Sequence, residues 1–109
     1  MLKWLAMLAV LVATPAYAQE DRTPFETGNK FVRMCVTDLW KLPCVTYAVG
    51  VYEGSQIKSA TVCLPDGVDN GQLLAVGVAF IKDHPDTAHL IPSVLLLASW
   101  ERAFPCPKP

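Results

Sequence analysis

The sequence predicts a small, mainly helical domain stapled by disulfides, and three observations predict it. Apolar residues recur at helical spacing in stretches that open near Phe31, Leu73 and Leu90. Turn-forming Pro, Gly and Asp residues separate those stretches, and four cysteines follow an N-terminal segment built like an export signal. The chain has 109 residues, 52% of them hydrophobic and 17% charged, which is the composition of one globular domain. Nine Lys and Arg stand against ten Asp and Glu, a formal net charge of -1 with no basic stripe, so nucleic acid is a poor candidate partner.

Met1, Leu2 and Lys3 precede the apolar run Trp4 to Ala13, and Thr14, Pro15, Ala16, Tyr17 and Ala18 follow it. That order of charged, apolar and small residues reads as a secretory signal peptide over residues 1–18, cut after Ala18. The apolar run is about half of the roughly 20 residues that a spanning helix requires, so no membrane anchor is expected after cleavage. A lipoprotein would carry a cysteine at the cut, whereas the first cysteine is Cys35. Export places Cys35, Cys44, Cys63 and Cys106 in an oxidising compartment, where an even count reads as disulfides. No pair has the close spacing of a zinc knuckle and there is no C-x-x-C redox motif, so neither metal nor cofactor is expected.

Residues 19–26 are polar, charged and broken by Pro24, and read as a flexible leader. The folded domain then covers residues 27–109. Phe31, Val32, Cys35, Val36 and Leu39 form an apolar stripe of helical period, which predicts helix one as far as Leu39. Leu42 and Pro43 break it, and Pro43 suits the first turn of a new element near Cys44. Cys44 to Ser59 fits two templates: a helix with Val45, Ala48, Val49 and Tyr52 on one face, or a strand with Val45, Tyr47, Val49 and Val51 alternating into a hairpin at Gly54. Cys63 to Gly67 is a turn, and Asp69 with Gln72 three residues on is a capping-box variant that starts helix three. Leu73 to Ile81 is apolar almost all round and predicts the most buried element. Asp83 or His84 can cap a last helix that opens at Pro85, with Pro92 inside it marking either a kink or a fresh start.

Cys35, the run C-V-T-Y-A-V-G from Cys44, C-L-P-D-G-V-D-N-G-Q-L from Cys63 to Leu73, D-H-P from Asp83 and A-F-P-C from Ala103 to Cys106 together resemble the Rap/Tai family of periplasmic immunity proteins. The resemblance spans Cys35 to Cys106 and lies in the order and spacing of short pieces. It implies an all-α fold, a small disulfide-stapled bundle of about four helices, with Cys44 to Ser59 helical and the last helix uninterrupted. In that arrangement Cys44 and Cys63 fall at opposite ends of helix two, roughly 22 Å apart at 1.5 Å per residue. A bridge tolerates roughly 4.4–6.8 Å between Cα atoms. The implied pairs are therefore Cys35 with Cys44 and Cys63 with Cys106.

No nucleophile motif, phosphate loop or free thiol is legible, and His84 and His89 are five residues apart, which puts them on different sides of a helix. The chain reads as non-enzymatic. Trp40, Tyr52 and Trp100 read as packing residues ahead of partner anchors. By the resemblance, the protein binds and occludes a peptidoglycan amidase delivered by a type VI secretion system, as a homodimer that presents a loop to the enzyme's cleft. The polar corner Asp83, His84 and Asp86 is the expected contact. Two other readings are an acid chaperone of the Hde type, which loses packing as carboxylates protonate, and an envelope binding module with a partner other than a toxin.

Overall fold

A computed structural model describes residues 25–108, so the expected signal segment 1–18 and residues 19–24 of the leader lie outside the described residues. Four helices follow one another: α1 (Gly28–Cys35), α2 (Asp38–Ser55), α3 (Asn70–Asp83) and α4 (Pro92–Ala103). Among the described residues the sole extended pairing is an isolated antiparallel bridge between Val62 and Pro105. The fold is all-α, and Cys44 to Ser55 is helical as the resemblance implies, with no hairpin. No described helix is long and apolar enough to cross a membrane.

Thr27 caps α1, its hydroxyl accepting from Lys30 N at 3.2 Å. The helix ends at Cys35, four residues short of the stripe that predicted it. Thr37 turns the chain there: its amide and its hydroxyl both donate to the Met34 carbonyl, at 3.1 and 2.7 Å. Val36 and Leu39, read as part of the buried stripe, are instead 62% and 82% exposed. The start of α2 also differs from expectation, because Pro43 lies inside the helix and not at its first turn. Proline removes one intrahelical hydrogen bond, here the one that would reach back to the Leu39 carbonyl. That loss falls beside Cys44, whose bridge to Cys35 (Cα–Cα 5.7 Å) fixes the start of α2 against the end of α1.

Gly67 turns the chain with φ +91, in the left-handed region that glycine enters without strain. The capping box then forms in full: Asp69 Oδ1 accepts from Gln72 N and Gln72 Oε1 accepts from Asp69 N, each at 2.8 Å, and α3 begins at Asn70. Its buried residues are Leu73, Leu74, Gly77 and Ile81, while Ala75 and Ala79 face outward. The prediction that α3 is the most buried element is therefore corrected, since α4 buries Pro92, Leu95, Leu96, Ser99 and Trp100. An apolar surface all round a helix is covered only where a neighbour exists. The last helix opens at Pro92, not Pro85, so the fresh start holds and the uninterrupted helix does not. Proline at the first helical position gives up an amide that had no partner, and it holds Ile91 extended at φ -65, ψ 141.

The core is centred on Phe31, Cys44, Ala48, Leu73, Leu96 and Trp100. Trp100 donates its indole N–H to the Leu73 carbonyl at 2.9 Å and meets Tyr52 edge-on at 6.3 Å. Phe25 extends this core beyond the expected domain start: it is 5% exposed and packs edge-on against Phe31 and Tyr47, both at 5.0 Å, and Trp40 at 6.0 Å. Burial of its ring and these edge contacts hold Phe25 against the core. A second bridge joins Cys63 to Cys106, with Cα atoms 4.8 Å apart, and Cys63 N donates to Phe104 O at 2.8 Å.

Candidate functional site

The corner between α3 and α4 is built from both ends. Asp83 is the last residue of α3, and His84 is its C-cap, with its amide donating to Ile81 O at 3.3 Å. The His84 ring stacks on Phe80, centroids 4.1 Å apart and planes 23° apart. Its Nδ1 lies 2.8 Å from the Phe80 carbonyl oxygen, which can only accept, so Nδ1 carries the hydrogen. In the neutral ring Nε2 is then the acceptor, and Arg102 Nη1 from the last turn of α4 stands 3.4 Å from it. The imidazole is held on three sides and half-buried.

Asp83 and Asp86 are exposed, and neither carboxylate has a hydrogen bond or ion pair among the described residues. Asp83 stands at the negative end of the α3 dipole, a position that favours cations. The connection that carries Asp86 is nonetheless firmly set. Gly28 N donates to Leu90 O at 2.8 Å and Asn29 N to Ala88 O at 2.9 Å, so the first amides of α1 anchor the loop, and Ala88 is buried. Gly28 allows this approach: a Cβ there would run into Leu95 Cδ1 and come within 2.9 Å of the Ala88 carbonyl.

The three residues that the sequence singled out therefore share one corner, but only His84 is tied down within it. Arg102 was missed, being 18 residues from His84 with no periodicity to link them. Phe80 stands at i−4 from His84, a spacing at which helix side chains meet, and could have been found. Leu90, Ile91 and Val94, which flank the corner, are 39%, 55% and 51% exposed. His89 is exposed, apart from His84, and among the described residues no group of three His, Cys, Asp or Glu side chains could hold a metal ion. The corner can offer two anionic acceptors to a partner's donors, beside an imidazole whose nitrogens already face Phe80 O and Arg102 Nη1.

A family model described as Rap1a immunity proteins matches residues 27–106. The chain belongs to the Rap1a immunity protein family. No curated protein and no solved structure matches it. As a Rap1a immunity protein it is of a generally non-catalytic kind that binds a protein effector. The Rap1a match begins at Thr27, the α1 cap, and ends at Cys106, the last bridged cysteine, so it embraces all four helices and both bridges.

Proposed function

We propose that this immunity protein works in the periplasm after removal of residues 1–18, where it binds a peptidoglycan amidase delivered by a type VI secretion system and occludes its active site. It acts as a homodimer, each copy presenting its α3–α4 corner, with Asp83, His84 and Asp86 meeting the enzyme. The observation that supports this reading is the combination at that corner of a loop anchored by α1 amides and two exposed carboxylates without partners. Both carboxylates stand in solvent on a fixed support, one of them at the negative end of a helix dipole, where a partner's cation would be favoured. Two bridges and a buried core fit residence in an oxidising compartment.

The test is inhibition of the peptidoglycan hydrolase encoded beside this gene, measured on purified peptidoglycan. Asp83→Lys with Asp86→Lys weakens inhibition by about tenfold to a thousandfold, or about 1.4–4 kcal/mol of binding, with helicity and both bridges unchanged. Undiminished inhibition by that variant removes the corner from the interface. A neighbouring gene that encodes no amidase, with no amidase bound by the protein, removes the target class.

A further inference from the structure

We infer that Arg102 is a contact residue of the corner, that His84 positions it, and that the effector meets it with a carboxylate; the inference rests on the corner reading above. The His84 ring has one arrangement open to it. Its stack on Phe80 sets the plane, and the Nδ1–H bond to the Phe80 carbonyl at 2.8 Å sets the tautomer. The Nε2 lone pair is left for another element. Arg102 Nη1, from the last turn of α4, stands 3.4 Å from it and links residues 18 apart in sequence.

An exposed arginine ordinarily sweeps through water, whereas this one is held at one nitrogen by an imidazole that is itself fixed. The contact with His84 is the one hydrogen bond of its guanidinium among the described residues, and no carboxylate there pairs with it. With Nη1 turned to His84, the Nε–Nη2 edge keeps two parallel N–H donors, the geometry that a carboxylate fills bidentately. Holding the fork in advance lessens the rotamer freedom that binding would otherwise remove. The corner thus presents a cationic fork from α4 beside two carboxylates, Asp83 at the end of α3 and Asp86 in the connection. A partner surface of one sign is drawn to one half and repelled by the other. An Asp or Glu of the effector with a basic neighbour satisfies both halves, and that is the occupant.

Binding of the purified hydrolase encoded beside this gene, measured by calorimetry, tests it, with circular dichroism confirming folded variants. Arg102→Ala weakens binding about tenfold or more, and Arg102→Lys, which keeps the charge but not the fork, recovers only part of that loss. His84→Ala weakens binding about threefold to tenfold by itself and not at all beside Arg102→Ala, because its effect passes through the arginine. His84→Gln, whose amide oxygen can accept where Nε2 does, restores most of the affinity. Nitrogen-15 shifts of the His84 ring in mildly alkaline buffer place its hydrogen on Nδ1. Undiminished binding by Arg102→Ala, while Asp83→Lys with Asp86→Lys binds weakly, overturns the arginine's role and leaves the corner reading standing. Full recovery by Arg102→Lys overturns the bidentate carboxylate. A His84→Ala loss that persists beside Arg102→Ala, or a hydrogen on Nε2, overturns the positioning role. A hydrolase that the wild-type protein does not bind overturns this inference and the corner reading together.

Discussion

Gly77 has no side chain where α4 crosses α3, and a Cβ there would run into Leu96 Cδ2. Gly77→Ala therefore overpacks the crossing and costs about 1–3 kcal/mol in urea unfolding. Gly50 lies in the middle of α2, where an added methyl group would meet nothing within 4 Å, and Gly50→Ala gains about 0.5–1 kcal/mol by the same measurement. Equal effects at the two glycines would show that the crossing is looser than its close approach implies. Trp100→Phe removes the indole's bond to the Leu73 carbonyl, which keeps its place in the α3 helical ladder, and costs about 0.5–1.5 kcal/mol beyond the lost volume. Single residues were unevenly legible. Trp100 read correctly as packing because large aromatics rarely stay in water. Leu39 and Val36 misled for the same reason: periodicity records that a residue is apolar, and a leucine left in solvent has the same letter as one in the core.

Helix boundaries were legible where a side chain completes a local hydrogen-bond pattern. Asp69 and Gln72 name the start of α3 because both bonds close within four residues. Asp69→Ala costs about 1 kcal/mol and frays the first turn of α3, visible as faster amide exchange at Gln72 and Leu73. The prolines were harder, since one residue type serves helix starts, interiors and turns. Pro92 begins α4 and Pro85 does not, a choice settled by the buried face of Pro92 and the loop's bonds to α1, which join residues about 60 apart in sequence. Pro43 inside α2 lacks the amide that would meet the Leu39 carbonyl, so Pro43→Ala restores one helical bond. Thermal unfolding of that variant shows a higher midpoint; a lower one would mean that proline's restriction of the unfolded chain outweighs the missing bond. The candidate corner was readable as far as the loop itself, because Asp83, His84 and Asp86 are neighbours in sequence. Arg102 came from tertiary packing alone.

At the scale of the whole molecule, burial and cross-linking share the task of holding a short chain folded. Loop-closure entropy assigns about 4 kcal/mol to the bridge between Cys63 and Cys106, which spans 43 residues, and about 2.7 kcal/mol to that between Cys35 and Cys44, which spans 9. Cys63→Ala with Cys106→Ala thus lowers the urea midpoint more than removing a short-range cross-link alone would. Cys35→Ala with Cys44→Ala adds a packing loss, because Cys44 is fully buried; a larger drop there would rank side-chain volume above chain entropy. The wider bridge has a further result. It turns α3, the α3–α4 connection and α4 into a covalent macrocycle, with the candidate contact corner opposite the sulfur clasp. A protease that nicks the exposed stretch around Asp86 opens that macrocycle without severing it, and the two pieces part only when a reductant is added.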